Sequence, residues 1–532
     1  MLLLAYDIGT TGVKTCLFDV DEEIRLAASA SCGYGLYTFP NGGAEQHADE
    51  WWEAMCKSTR ELLEESGVDP AEIRGISFCS QMQGLVLVDR DGVPVRHPMS
   101  YMDQRASRQM EEGIGQGVKI AGMNAVKLLK SLRATGAVSG SVKDPMWKYL
   151  WVKDEEQDAF AKAYKWLDVK EYLISRCTGR MIMTEDSAFS TMLLETKNGR
   201  RCWSEELCRM FGVDTDHLAE IIKTTDLVGG LRAEQAAELG LAEGTPVYGG
   251  GGDASLIGIG AGCVRTGDTH IYCGTSGWVA TITEKQVVDT ESMMAAIVGA
   301  QPGHYNYFAE METAGKSLEW VKDHLALDEI GVYMEKKDIT GGMEHVYTSL
   351  YDYMSEVVAQ SQPGAGGVLF APWLHGNRCP FEDPKARGMF FNISLDTGKT
   401  EMIRAVVEGV CYHLRWMLEC QEKKVKASET IRFCGGGALS SVTSQILADI
   451  LGRTVEVPAQ PQNVGSVGAA LTAAVGAGAI DSMEEISRMI RPAAVYHPGS
   501  CGSEGKAAYE RNYQVFKKLH SSNRKLFAQI NG

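Results

Sequence analysis

The chain is 532 residues long, 44% hydrophobic and 23% charged, the balance of an ordinary globular enzyme and not of a disordered or fibrous chain. Its formal net charge of −17 argues against a nucleic-acid surface or an anionic membrane as the main partner. One hydrophobic core rarely serves such a length, so two large domains are expected.

The apolar run Leu2 to Tyr6 reads as a strand and leads straight into Asp7-Ile8-Gly9-Thr10-Thr11-Gly12-Val13-Lys14. Gly9 and Gly12 let backbone approach an anion, Thr10 and Thr11 add hydroxyl donors, and Asp7 at the strand end can hold hydrated Mg²⁺. The following stretch, Val13 to Val20, is apolar and β-branched, so strand-turn-strand is expected in place of the strand-turn-helix of the common nucleotide loops. Read alone, the string is equally a plain hairpin turn. The opening segment reaches Asp7 too soon, and lacks the basic flank, for a signal peptide. No run approaches the roughly 20 apolar residues of a membrane helix.

Trp51 to Glu65 has helical spacing, and Ile73 to Cys79 reads as a strand that opens into Ser80-Gln81-Met82-Gln83-Gly84. A second short strand, Leu85 to Asp89, ends at the turn Asp91-Gly92. Gln81, Met82 and Gln83, with Tyr101, Asp103 and Arg105, supply the donors and acceptors a polyhydroxylated ligand needs; ordinary surface loops are the alternative. Residues 107–142 are glycine-broken and partly helical, as a lid or insertion would be.

Thr245 to Tyr248, followed by Gly249 to Gly252 and Asp253, looks like a new start, which puts a boundary near 245. The expected division is 1–245, 246–480 and a polar helical tail, 481–532. Asp253 sits on backbone that can come close to a ligand, as suits a base taking a proton from a hydroxyl; it equally suits a helix cap ahead of Leu256 to Ile259. His270 to Cys273 is a strand leading into Gly274-Thr275-Ser276-Gly277, a second phosphate clamp or a plain turn.

Farther on, Met402, Ile403, Val406, Val407, Val410, Leu414 and Met417 recur at helical spacing. A strand, Thr430 to Cys434, meets Gly435-Gly436-Gly437-Ala438, backbone on which a nucleoside can lie. The next helix, Val442 to Leu451, stops at Gly452, and residues 454–457 form a strand ended by Pro458. Gly465 to Ala477 is a small-residue helix suited to close packing. Two tempting motifs fail: Gly315-Lys316-Ser317 has Glu310 where a P-loop needs its first glycine, and Cys263 replaces the third glycine of a dinucleotide fingerprint. The fourteen cysteines form no C-x-x-C and show no zinc spacing, so they suit a reducing cytosol.

Taken together, these residues resemble the FGGY family of carbohydrate kinases over nearly the whole chain. The first family signature is met by Pro145, Lys148, Tyr149, Trp151, Val152, Asp154 and Glu155, with Lys143 departing from it. The second is met by Gly388, Phe390, Ile393, Glu401, Met402, Ala405, Val406, Val407, Glu408 and Gly409, with Asn392 where glycine is usual. The resemblance implies an α/β fold of two actin-like, ribonuclease-H-type ATPase domains flanking a cleft, with ATP and Mg²⁺ as cofactors. By the same resemblance Asp7, Thr10, Thr11 and Lys14 would face the transferring phosphate, with Asp7 as the metal residue, and Asp253 would be the general base. Gly274, Thr275 and Ser276 would hold nucleotide phosphates, and Gly436, Gly437 and Ala438 would lie along adenosine. Gln81, Met82, Gln83, Tyr101, Asp103 and Asp253 would meet the sugar. Gln83 stands where xylulose kinases typically carry histidine, and glycerol kinases carry Arg-Glu at the Met82-Gln83 positions. A ketopentose is therefore the expected acceptor, with gluconate, a tetritol or another ketose as alternatives and a non-kinase actin-like ATPase as the rival from another class. A cytoplasmic enzyme without nucleic-acid or membrane partners is implied, and a homodimer is left open.

Overall fold

A computed structural model of the chain describes residues 1–326 and 350–531. Its frame is two mixed sheets of related design. The first opens with an antiparallel meander, β1 (Leu2–Ile8), β2 (Gly12–Val20) and β3 (Ile24–Gly33). Strand β4 (Ile73–Ser80) then pairs parallel to β1; β5 (Leu227–Gly230) lies antiparallel at the edge beside β6 (Pro246–Tyr248), which runs parallel to β4. In the second sheet β7 (Thr269–Cys273), β8 (Gly277–Thr283) and β10 (Tyr305–Met311) form the meander, with β9 (Met294–Val298) outside β10. Parallel strands β11 (Thr430–Cys434) and β12 (Thr454–Pro458) follow, and β13 (Pro492–Tyr496) closes the edge.

The central order is β3-β2-β1-β4-β6 in one sheet and β10-β8-β7-β11-β12 in the other. Burial explains which strands are central. Leu3, Leu4, Ala5 and Tyr6 of β1 are all fully buried, as required of a strand covered on both faces, whereas every second residue of β3 is exposed.

The expected boundary at 245 needs correction, because it cuts the first sheet. Val247 of β6 pairs with Ile76 of β4, and Gly251–Gly252 runs alongside Cys79–Ser80, so the glycine loop closes the first domain and does not open the second. The true second copy of the opening hairpin is β7–β8. Nor is the region after 480 wholly helical, since β13 belongs to the second sheet.

The helices that matter to the site are α1 (Ala48–Ser66), α2 (Pro145–Glu155), α3 (Val169–Thr178), α4 (Asp253–Gly260), α5 (Lys399–Gln421), α6 (Ser441–Leu451), α7 (Val464–Gly476) and α8 (Gly502–Asn531). α6 ends at Gly452 in the left-handed conformation (φ 67°), the stop read from sequence. Tyr513 and Phe516 of α8 pack on Tyr412 of α5. α7 comes from the second half yet covers the first sheet: its Ala469, Ala470 and Leu471 share one core with Leu3, Ala5 and Phe18. Its glycines allow backbone-on-backbone contact with α4. A Cβ at Gly468 would lie 2.3 Å from the Leu256 carbonyl oxygen, and one at Gly260 would lie 1.8 Å from that of Val464. The stretch 107–142 holds a short helix, Ser107–Met110, a two-residue-strand hairpin and the helix Ala125–Thr135, whose first amides are capped by Asn124. No helix among the described residues is long and apolar enough to cross a membrane.

Candidate active site

The second domain carries a cavity of about 400 Å³ lined by Gly274, Thr275, Gly436, Gly437, Lys316 and Val407, among others. Gly274 and Thr275 come from the β7–β8 turn, the two glycines from the turn after β11, and Val407 from α5. A Cβ added at Gly436 would meet nothing within 4 Å, so its backbone borders open space that any side chain would fill. Of the other expected nucleotide residues, Ser276 closes its hairpin by accepting the Gly274 N–H at 3.0 Å, and Ala438 is buried behind the wall. Lys316, from the string rejected as a P-loop, does line the cavity and pairs with Glu319 at 2.8 Å.

In the first domain the β1–β2 turn closes the same way, with the Gly9 N–H on the Gly12 carbonyl at 2.9 Å. Asp7, the penultimate residue of β1, lies beneath α7 in close contact: a Cβ at Gly465 would sit 2.8 Å from Cys79 Sγ and 3.1 Å from an Asp7 oxygen. Burial raises the Asp7 pKa, while the Lys14 charge and the Cys79 thiol oppose the rise. Lys14 donates to the Gln462 carbonyl at 2.8 Å, which ties this hairpin to the second half. Thr10 meets the Tyr101 hydroxyl at 3.3 Å, and Thr11 is exposed at the tip. A half-buried carboxylate with one thiol donor and hydroxyls close by is a hard oxygen donor set that fits Mg²⁺ retaining most of its water.

Asp253 is the first residue of α4, one position inside the N-cap, Gly252. Its Oδ1 accepts the neighbouring Ala254 N–H at 2.7 Å, which is a local bond and not the cap bond to the second or third amide. Burial lifts its pKa to about 7, the Ala254 bond opposes the rise, and the Asp7, Glu310 and Asp168 carboxylates add to it. Such a group exchanges a proton near neutrality.

The sugar-loop candidates gather beside it. The Gln81 N–H donates to the Ile8 carbonyl at 2.8 Å and its side-chain Nε2 to Gln46 at 2.9 Å, while Gln81 Oε1 is buried without a partner. Met82 lies against Gly252, where a Cβ would come within 2.1 Å of its sulfur. Gln83 has left-handed backbone (φ 64°) and its carbonyl accepts the Lys148 ammonium at 2.7 Å. The Gly84 N–H donates to Asp168 at 2.9 Å. Burial draws the Lys148 pKa down to about 8. Asp103 is fully buried, and its oxygens accept the Ala44 N–H at 2.8 Å and the Arg105 guanidinium at 2.7 Å. It thus shapes the loop that carries Tyr101.

Several residues here escaped the reading of single motifs. Glu310 and Glu312 end and follow β10, and Arg378 pairs with the first and stands 3.8 Å from the second. Glu310 served only to reject a P-loop, and Arg378 had no local signal at all. Lys148 was visible as a signature residue without a stated task, and Gln46 and Asp168 carried no motif.

Two sheets of ribonuclease-H-type order, each offering a glycine hairpin, with a titratable carboxylate between them, define an actin-like phosphotransferase. The chain belongs to the FGGY family of carbohydrate kinases: residues 2–260 match the family's N-terminal domain and residues 270–477 its C-terminal domain. It is 28% identical over 528 residues to a xylulose kinase of Bacillus subtilis (strain 168), covering 98% of this chain and 97% of that one. It is also 28% identical over 492 residues to a gluconokinase of the same organism, covering 92% and 90%. Among solved structures, a ligand-bound xylulose kinase from Lactobacillus acidophilus superposes with a TM-score of 0.84 at 24% identity, covering 99% of each chain, which establishes the shared fold.

Proposed function

We propose that this kinase transfers the γ-phosphoryl group of ATP to a primary hydroxyl of a ketopentose of the xylulose type, in the cytosol. The observation that carries the reading is the placement of Asp253, whose loop touches Met82 of the sugar loop while the Asp7 charge acts on its titration. Asp253 would take the proton of the attacking hydroxyl. Gln81 Oε1, buried and unpartnered, and the Tyr101 hydroxyl would orient the sugar. The glycine backbone at 436 and 437 would support the nucleoside, and Gly274 and Thr275 its phosphates. Mg²⁺ held through Asp7 would offset the negative charge of the transferring phosphoryl group. Closure of the two domains would exclude water, which otherwise competes as acceptor.

The choice of a neutral acceptor over an aldonate rests on charge. Asp7, Asp253, Glu310 and Glu312 gather about the site, and the nearby Arg378 is already paired with the two glutamates. A carboxylate substrate would meet like charges there at a cost, whereas a ketose would not. A coupled ADP-release screen over ketopentoses, ketohexoses, aldonates, glycerol and tetritols tests this. The expected result is a ketopentose leading gluconate by roughly tenfold or more in kcat/KM, or ~1.4 kcal/mol of transition-state discrimination. Preference for gluconate would overturn the assignment.

A further inference from the structure

Behind the site lies a group of charged residues to which the proposed chemistry gives no role beyond the charge that Asp168 exerts on Asp253. Lys148, Lys170 and Glu171 have no exposed surface, and Asp186 and Asp168 are 1% and 4% exposed. Buried ion pairs add little net stability over apolar replacements, so five buried charged residues in one place call for a further account. Their free ends supply one. Lys148 of α2 donates to the Gln83 carbonyl, and Asp168, at the N-cap of α3, accepts the Gly84 N–H, so residues 83 and 84 are gripped from both sides. The grip falls on a glutamine in left-handed backbone, a conformation that persists only when its surroundings impose it.

The other arm runs from the same segment of chain. Lys170 is paired with Glu171 and donates to the Thr184 hydroxyl at 2.6 Å and to Ser187 at 2.9 Å. Thr184 in turn meets Asp186 Oδ1 at 2.6 Å, and Asp186 Oδ2 accepts the Gly252 N–H at 2.8 Å. Gly252 immediately precedes Asp253. Asp168, Lys170 and Glu171 lie within four consecutive positions, so a single strand-to-helix junction serves both arms.

We propose that this buried ionic network is a positioning device that sets the sugar-reading Gln83 and the base-bearing Asp253 relative to each other, one arm for each loop. The inference rests on the kinase reading above, and its two arms predict different losses. Lys148→Met with Asp168→Ala, a neutral pair, removes both partners of the Gln83 arm and raises the KM for sugar about tenfold while the KM for ATP is unchanged. Gly84→Ala serves where that double variant folds poorly: its Cβ would fall 2.7 Å from Asp168 Oδ1, dislodging the grip with every buried charge retained, and the same rise is expected. Asp186→Ala frees the Gly252 arm and lowers kcat about tenfold or more, with the sugar KM within roughly twofold of wild type.

Amide hydrogen exchange reads the same device without turnover. Gly84 exchanges faster in the first variants and Gly252 only in the last. Equal losses of KM and kcat in both arms, or unaltered exchange at Gly84 and Gly252, would overturn the proposal. A wild-type protein that phosphorylates no sugar would instead sink the kinase reading, and the exchange pattern would still decide the network.

Discussion

Replacing Asp253 by asparagine keeps the shape of the side chain and removes its ability to accept a proton. Loss of a general base lowers kcat by ~10²–10⁴, or roughly 3–5 kcal/mol of transition-state stabilisation. The cavity proposed for the nucleotide is lined by other residues, so the KM for ATP should hold. The pKa of about 7 adds a second readout. A base works only when deprotonated, so kcat/KM for sugar should fall as pH drops through 7, reaching about a tenth of its plateau at pH 6 for a one-proton step at a pKa of about 7. Glu310→Gln removes a neighbouring negative charge that helps to raise this pKa, so the acid limb should move to lower pH. A coupled assay over pH 5.5 to 9, on the order of the range most such enzymes survive, measures both effects. Turnover of Asp253→Asn within about threefold of wild type would return Asp253 to a helix-start role. So would an acid limb that Glu310→Gln leaves in place.

Gly436→Leu should project into the cavity proposed for the nucleotide, raising the KM for ATP on the order of tenfold with little change in melting temperature, because no protein atom lies within 4 Å of the new Cβ. Gly468→Val forces carbon against the Leu256 carbonyl at 2.3 Å and should cost about 3 kcal/mol or more in denaturant unfolding. Asn392 has left-handed backbone (φ 66°), so Asn392→Gly should leave stability near wild type, whereas Asn392→Val should lose roughly 1–2 kcal/mol by the same measurement.

The last of these shows why the family resemblance survived its own departure. Glycine is usual at position 392 because the backbone there is left-handed, and asparagine is the residue that best tolerates that conformation. Local signals of this kind were legible: the opening hairpin, the stop at Gly452, the small-residue helix and the strand Thr430–Cys434 all follow from residue type and spacing. The division at 245 was not, because a short parallel strand such as β6 is defined by its partner β4, some 170 positions earlier, and not by its own residues. Arg378 and Glu310 were hidden for the same reason. Their meeting depends on how a loop of the second domain returns to β10. The first signature was legible as a pattern but silent as to task, since Lys148 and Trp151 act on residues 83 and 105, far away in sequence.

What unites the two carboxylates of the site is equally remote from any motif. Asp7 is the penultimate residue of a strand of the first sheet, and Asp253 opens α4, yet both are set by α7 from the second half. Gly465 lets α7 rest on Asp7, and three residues later Gly468 lets it rest on the backbone of α4. The Gly468 contact is with a backbone carbonyl, which cannot swing aside, and the Gly465 contact is with the buried Cys79 thiol and the Asp7 carboxylate. A helix of larger residues would separate α4 from the first sheet and carry Asp253 away from Asp7. The small residues of 465–476 thus serve more than packing density: they set the spacing between Asp253 and the hairpin that carries Asp7. For that reason Gly468→Val should lower kcat beyond what its loss of folded protein explains.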